Sequence, residues 1–124
     1  MLIFPFDFGM IPGTKGEDGD PLDALVISEH KTFPGCRVRC RLIGLLQAMQ
    51  TEKTRTIRND RYFFIPENSL VYRQVRDISD LPGELVEQLI FFFVAYNKVE
   101  GKKFQPEKVI RLKKASLLLS RGKN

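Results

Sequence analysis

Charged and apolar side chains alternate strictly along Arg37-Val38-Arg39-Cys40-Arg41-Leu42. Successive side chains of a β-strand point to opposite faces, so this period of two predicts a strand with one buried face and one face in water or against an anion. The apolar pattern continues from Ile43 to Ala48 past Gly44, and a glycine inside a strand often marks a β-bulge. The stretch therefore predicts a strand that runs from Arg37 to Ala48 and bulges near Gly44.

Shorter elements flank this strand on both sides. Before it, aromatic residues alternate with Pro and Gly from Phe4 to Thr14, which indicates short strands and turns, and Leu22 to Ser28 is a mostly apolar strand. After it, we expect a charged loop from Thr51 to Asp60. A further strand, Tyr62 to Ile65, is ended by Pro66.

Two helices are predicted after the strands. Asp80-Leu81-Pro82 opens the first, apolar side chains then recur at helical spacing, and Gly101 ends it. The second is a basic amphipathic helix from Pro106 to Arg121. Strands first and helices last indicate an α+β fold, most simply a small barrel with helices packed on it. Because the length favours one domain over two, we expect residues 1–124 to form a single domain.

Composition excludes several classes of protein. Of the 124 residues, 43% are apolar and 28% are charged, which is unlike collagen or a disordered chain. The longest apolar run, Leu89 to Ala95, is far shorter than the roughly 20 residues of a membrane span, and the N-terminus does not resemble a signal peptide. Cys36 and Cys40 would lie about 13 Å apart on one strand, too far for a disulfide. We therefore expect reduced thiols and a cytoplasmic protein with no membrane partner.

The formal net charge of +5 is unevenly distributed. Residues 1–30 are net acidic, whereas residues 97–124 are strongly basic. A basic chain suggests an anionic partner, which is a nucleic acid, a phosphate metabolite or an acidic protein. The basic tail lacks a helix-turn-helix pattern, a zinc pattern and interleaved aromatic residues, so a solvated helix face is favoured over nucleic-acid binding. An acidic cluster within a basic chain instead fits a site for a metal ion and a phosphate.

The stretch most informative for function is Asp18-Gly19-Asp20-Pro21-Leu22-Asp23, which places three carboxylates within six residues. Mg²⁺ takes oxygen ligands and keeps several waters, so nearby carboxylates and a phosphate substrate would complete its shell. An EF-hand fits Asp18, Asp20 and Glu29 but fails at Asp23, where that loop requires glycine. From composition alone a solvated turn remains an alternative, because Asp and Gly are common in turns.

The same motif stands in a longer series of motifs. In chain order these are Phe4 to Pro12, Gly16 to Val26, Phe33 to Cys36, Arg39 to Gly44, Asp80 to Pro82, Phe92 to Tyr96 and Gly101 to Phe104. The series resembles the soluble family I inorganic pyrophosphatases. The resemblance implies a small, mostly antiparallel OB-like β-barrel with two C-terminal helices. It also implies that the first strands of the family barrel are missing, because family members carry an N-terminal segment of several strands before the Phe4-Pro5 region.

The resemblance further implies hydrolysis of inorganic pyrophosphate to two phosphates by a Mg²⁺-activated water, with no covalent intermediate. Carried over by position, Asp18 and Asp23 would be metal ligands, and Asp20 would accept the proton of the attacking water. Tyr96 matches a tyrosine that contacts substrate phosphate, with a core aromatic on a helix as the alternative. Lys98 stands two residues later, where the family often has a lysine directly after the tyrosine.

Some positions depart from the family pattern. The family usually has two further metal aspartates where this chain has Gln50 and Asn59. Glu52 and Asp60 stand one or two residues away, and a small shift would make them ligands, with a solvated loop as the alternative. Arg61 matches a phosphate-binding lysine, and a guanidinium is not equivalent to an ammonium.

Two hypotheses about function stay open on the sequence. The first is an active Mg²⁺-dependent pyrophosphatase, which the family resemblance suggests would be a homo-oligomer. The second is a weakened or inactive homologue that binds metal, phosphate or a partner subunit. It is favoured by Gln50, by Asn59 and by the missing N-terminal segment, which in the family carries substrate-binding Lys and Arg and a metal-linked Glu.

Overall fold

A computed structural model describes residues 6–33 and 35–123 of the chain. Six strands form one sheet, and two helices and a 3₁₀ turn (Ile78–Asp80) complete the described elements. Their bounds are β1 (Asp7–Ile11), β2 (Leu22–Val26), β3 (Cys40–Glu52), β4 (Arg55–Arg58), β5 (Arg61–Pro66), α1 (Gly83–Val99), β6 (Lys102–Arg111) and α2 (Leu112–Arg121). The α+β class predicted from the sequence is confirmed, but β6 follows α1, so the strands do not all precede the helices as expected.

The sheet is organised around β3. Its strand order is β1-β2-β5-β3-β4, and β6 also pairs with β3, so this one long strand pairs with three others. The β2–β5 pair is parallel and the other described pairs are antiparallel. A strand that pairs with different partners along its length curls the sheet into a half-barrel. The predicted mostly antiparallel, OB-like architecture is therefore confirmed in the described residues.

The predicted bulge near Gly44 is present, and it has a packing cause. The register of β3 against β5 shifts between Leu42 and Gly44. A Cβ at position 44 would lie 2.7 Å from two side-chain atoms of Ile78 and 2.9 Å from the carbonyl oxygen of Ile110. Glycine is therefore required here by close approach of the 3₁₀ turn and β6 to β3, since real Cβ contacts are longer.

Two apolar clusters fill the two faces of the sheet. Leu45 and Leu46, adjacent in β3, are both fully buried but belong to different clusters, as the period of two requires. The larger cluster packs the sheet against Leu89 and Phe93 of α1, which are four residues apart and share one helix face. The smaller cluster packs it against Ala115 of α2. Both predicted helices therefore pack on the sheet.

Three sequence predictions about element bounds are wrong. The second helix does not begin at Pro106, because the residues up to Arg111 form β6, and only Leu112–Arg121 is helical. The charged loop from Thr51 to Asp60 contains β4, which forms a hairpin with the end of β3. The central strand begins at Cys40 rather than at Arg37, since the ladder with β5 starts with Cys40 opposite Pro66. The predicted turn at Thr32 to Gly35 includes Pro34, which lies outside the described residues.

No helix within residues 6–33 and 35–123 is both long enough and apolar enough to span a membrane.

Candidate active site

The aspartate motif begins in a tight loop ahead of β2. The Gly16 amide donates to the Asp20 carbonyl oxygen at 2.8 Å, and the Gly19 amide donates to the Gly16 carbonyl oxygen at 3.1 Å. Gly19 has a φ of +86°, a conformation that favours glycine. The Asp20 amide donates to Oδ1 of Asp18 at 2.9 Å. The loop backbone is therefore fixed on both sides of Asp20, and both loop carboxylates are exposed.

Asp23 reaches the site by strand pairing. It lies in β2, directly opposite Arg61 of the parallel strand β5. The two side chains form an ion pair, in which Nη1 of Arg61 donates to Oδ2 of Asp23 at 2.9 Å. Sheet register thus brings the third aspartate of the motif beside a cation that is 38 residues distant in the sequence.

A cleft of about 410 Å³ joins these residues to α1 and β6, and we call it the aspartate cleft. Its lining is formed by Phe8, Asp18, Asp20, Asp23, Gln50, Asn59, Arg61, Phe93, Tyr96, Asn97 and Lys102. Three carboxylates therefore face the same space as a guanidinium, an ammonium and a tyrosine. Such a mixture of charges suits a cation and an anion bound side by side.

Arg61 lies in the inner wall of the cleft with its side chain only 8% exposed. Besides Asp23, its Nη1 donates to the Asn59 carbonyl oxygen at 3.1 Å, and its Nη2 donates to Oε1 of Gln50 at 3.2 Å. The guanidinium carbon lies 5.6 Å and 5.2 Å from the ring centroids of Phe93 and Phe104. The ion pair, the hydrogen bonds and the two cation–π contacts together offset the cost of burying the charged guanidinium.

Gln50 and Asn59 are bonded to each other as well as to Arg61. Nδ2 of Asn59 donates to Oε1 of Gln50 at 3.1 Å, so this one amide oxygen accepts from both neighbours. Gln50 is nearly buried. The two positions therefore present neutral amides whose hydrogen bonds hold Arg61 in place.

Burial and neighbouring carboxylates both raise the pKa of Asp23. Desolvation is the main cause that raises the pKa of Asp23, and the charges of Asp18 and Asp20 raise it further. The Arg61 charge opposes this shift. Additional positive charge beside Asp23 would therefore stabilise its ionised form.

The whole chain was compared with known proteins. A model of the inorganic pyrophosphatase family matches residues 1–122. The chain belongs to this family. It is 36% identical over 99 residues to the inorganic pyrophosphatase of Synechocystis, a match that covers 80% of this chain and 56% of that protein. The chain thus spans little more than half the length of that curated relative.

Solved pyrophosphatase structures share the fold. An inorganic pyrophosphatase structure from Helicobacter pylori superposes with a TM-score of 0.86 at 27% identity, covering 96% of this chain and 69% of that one. The structure from Thermus thermophilus gives a TM-score of 0.83 at 30% identity, and the match covers 95% of this chain and 67% of that one. The half-barrel with its two helices is therefore the inorganic pyrophosphatase fold.

Most of the residues predicted for the site share the aspartate cleft. Asp18, Asp20, Asp23, Arg61 and Tyr96 all line it. The ring of Tyr96 lies 5.8 Å from that of another lining residue, Phe8, measured between centroids. The sequence motif and the α1 tyrosine, which are far apart in the chain, therefore converge in space.

Three predicted residues lie elsewhere. Oδ1 of Asp60 accepts from the Ala48 amide and from Nη1 of Arg58, both at 3.0 Å, and Asp60 lines a smaller adjoining cleft that shares Asp18 and Asn59 with the aspartate cleft. Glu52 lines an adjoining cleft of about 480 Å³ that shares Asp18 and Asp20 with the aspartate cleft. Lys98 is exposed near the end of α1 and does not line the aspartate cleft.

Sequence reasoning missed Lys102 as a candidate. We attributed the basic tail to a solvated helix, but Lys102 opens β6 and lines the aspartate cleft. Phe104, two residues later, is buried. Because a strand places residues two apart on one face, a β-strand interpretation of Gly101 to Phe104 would have found this lysine.

The donor set of the cleft suits a hard divalent cation whose coordination shell is completed by water or by phosphate oxygens. Among the residues in 6–33 and 35–123, no three carboxylate, histidine or cysteine side chains converge closely enough to hold an ion alone. Mg²⁺ binds through one or two carboxylates and fills its shell with waters and phosphate oxygens. The donor set of the aspartate cleft fits this mode of binding.

Proposed function

We propose that the chain is a Mg²⁺-dependent inorganic diphosphatase that hydrolyses pyrophosphate and water to two phosphates. The observation that carries the proposal is the grouping of three motif carboxylates with Arg61, Lys102 and Tyr96 around one cleft. Carboxylates suit the cation and basic side chains suit the anion. Membership in the inorganic pyrophosphatase family supports pyrophosphate as the substrate.

Asp18 and Asp23 are the proposed Mg²⁺ ligands. Asp18 is exposed at the cleft mouth, and Asp23 is half-buried at its base with Oδ2 on Arg61. Mg²⁺, when bound, lowers the pKa of water and neutralises charge on the phosphates. Glu52 is a weaker candidate because it faces the adjoining cleft, and Asp60 is weaker still because Arg58 and the Ala48 amide engage it.

Asp20 is the proposed general base. Its backbone is held by hydrogen bonds to Asp18 and Gly16, so the exposed carboxylate is presented to the cleft from a fixed position. It would accept one proton from the attacking water as the water oxygen bonds to phosphorus and the phosphoanhydride bond breaks. The products are two phosphates, and no covalent enzyme intermediate forms.

Lys102 and Tyr96 are the proposed phosphate-binding groups. Lys102 is partly exposed in the cleft, and an ammonium on a flexible stem can follow a phosphate oxygen. Arg61 contributes positive charge from the inner wall. Lys98 remains a weaker candidate because it is exposed outside the cleft lining.

Hydrolysis is tested by measuring phosphate release from pyrophosphate with and without Mg²⁺. We expect Mg²⁺-dependent release from the wild-type chain and none from Asp20→Asn, which keeps the shape of the side chain but cannot accept the proton. The matched control is Glu87→Gln on the exposed face of α1, outside the aspartate cleft. Equal turnover by Asp20→Asn and wild type would remove Asp20 as the base. A wild-type chain that binds Mg²⁺ without turnover would support the binding-protein hypothesis instead.

We also propose that residues 1–124 act as one cytoplasmic domain within a homo-oligomer, with no nucleic-acid or membrane partner. The family resemblance supports the oligomer. The basic residues of α2 are mostly exposed, which supports a solvated helix face. Light scattering at several protein concentrations tests the oligomer.

A further inference from the structure

The side chain of Arg61 is held on several sides by other residues of the inner wall of the aspartate cleft. Arg61 donates to Asp23, to the Asn59 carbonyl oxygen and to Gln50, and it lies against two aromatic rings. Moving this guanidinium toward a substrate would break three hydrogen bonds and two cation–π contacts. Arg61 is therefore a fixed part of the wall rather than a mobile phosphate ligand.

The neighbours of Arg61 supply hydrogen bonds but little charge. Gln50 and Asn59 are neutral amides, and the oxygen of Gln50 already accepts from Asn59 and Arg61. Among the cleft residues that contact the guanidinium, Asp23 alone is a carboxylate. Any divalent cation that uses Asp23 must therefore share it with Arg61.

Sharing of Asp23 between a divalent cation and Arg61 is unfavourable because the two positive charges repel each other. An arginine side chain keeps its positive charge in proteins, so it cannot make room for a cation by losing a proton. A cation bound to Asp23 would lie within a few ångströms of the guanidinium, where like charges repel strongly in a partly buried site. Asp18 and Asp20, at the exposed mouth, have no such partner among the ion pairs of the described residues.

We propose that Arg61 competes with divalent cations for Asp23 and acts as a built-in counter-charge in place of a metal ion at the inner wall. This rests on the proposed function, because it concerns the Mg²⁺ that the reaction uses. Without pyrophosphate the chain then binds Mg²⁺ chiefly through Asp18 at the mouth of the cleft, and Asp23 becomes a ligand only against the opposing charge of Arg61. The affinity of the chain for Mg²⁺ in the absence of pyrophosphate is set by the strength of the Asp23–Arg61 pair.

The test is calorimetric titration of Mg²⁺ into the chain without pyrophosphate. Arg61→Gln removes the competing charge and keeps a polar side chain that can bond to the amides. We expect it to raise Mg²⁺ affinity at least about tenfold, because it relieves repulsion at short range. The matched control is Lys103→Gln, which removes an exposed cation of β6 that does not line the aspartate cleft. Its effect should stay below about threefold, since exposed charges are screened.

A double-mutant cycle separates competition from a general change in charge. We expect Asp23→Asn to lower Mg²⁺ affinity by a larger factor in the Arg61→Gln background than in the wild type, because Asp23 no longer shares its charge with Arg61 there. Folding of each variant is checked by its thermal melt. If Arg61→Gln does not fold, Arg61→Lys replaces it, since an ammonium cannot bridge Asp23 and Gln50 as a guanidinium does. A smaller gain in affinity is then expected.

The Mg²⁺ titration and the hydrolysis assay test the competition and the proposed function separately. Folded Arg61 variants that bind Mg²⁺ no more tightly than wild type would overturn the competition. The titration needs no turnover, so a gain in affinity supports the competition even if pyrophosphate is not hydrolysed. Hydrolysis without any gain would retain the proposed function and reject this role for Arg61.

Discussion

Gly44 offers a quantitative test of why the central strand bends where it does. A methyl group added by Gly44→Ala would meet Cβ and Cγ2 of Ile78 at 2.7 Å and the Ile110 carbonyl oxygen at 2.9 Å. Ile78 is 1% exposed, so it has no room to move away, and the carbonyl belongs to the β3–β6 ladder. Overpacking of this kind costs about 1–3 kcal/mol.

We therefore expect the free energy of unfolding of Gly44→Ala to fall by about 1–3 kcal/mol. For a chain of this size that corresponds to a melting temperature lowered by roughly 4–12 °C. Urea unfolding followed by circular dichroism measures the first quantity, and a thermal melt measures the second. The m-value should stay constant, because the native surface is unchanged.

Gly9 is the matched control for this substitution. It also lies in a strand, but a Cβ there would meet nothing within 4 Å. We expect Gly9→Ala to change the free energy of unfolding by less than about 0.5 kcal/mol. If the two alanine variants were equally stable, close packing would not be the reason for glycine at position 44.

Three further predictions concern charged side chains. Glu29 accepts from the Ser69 hydroxyl and two backbone amides, which lower its pKa to about 2. The contribution of Glu29 to the free energy of unfolding should be present above its unfolded pKa of 4.5 and lost as the pH falls toward 2. The free energy of unfolding of Glu29→Gln should therefore change less with pH in that window than that of the wild type. Asp77 accepts the Leu112 amide at 2.9 Å at the start of α2, and Asp77→Ala should cost about 1–2 kcal/mol in urea unfolding. Lys102→Gln should raise KM for pyrophosphate more than it lowers kcat in steady-state kinetics.

Local sequence signals predicted much of the fold. The alternation from Arg37 to Leu42, with its apolar continuation to Ala48, predicted the central strand, although that strand begins only at Cys40, and Gly44 predicted its bulge. Pro82 and Gly101 bounded α1 to within two residues of its observed ends. Each of these signals acts within a few neighbouring residues, so it needs no knowledge of the rest of the chain.

The failure at β6 arose from tertiary pairing. Pro106 is acceptable at the start of a helix, and the basic and apolar residues after it fit a helical period. In the structure Pro106 instead lies opposite Ala48, at the register shift between Leu46 and Ala48. A proline without an N–H is tolerated at such an irregularity, and pairing along β3 then overrides the helical pattern.

The site shows the same division between local and long-range information. The motif predicted three carboxylates in one place, but the partner of Asp23 depends on the parallel β2–β5 register, which no local pattern specifies. Gln50 and Asn59 were interpreted one position at a time, as missing metal ligands. Together with Arg61 they form one bonded group, because a planar guanidinium needs acceptors along its edge and the amides provide them without adding charge. The three departures from the family pattern therefore belong to one bonded group, in which neutral amides stand where the family resemblance implies aspartates and a guanidinium stands where it implies a lysine.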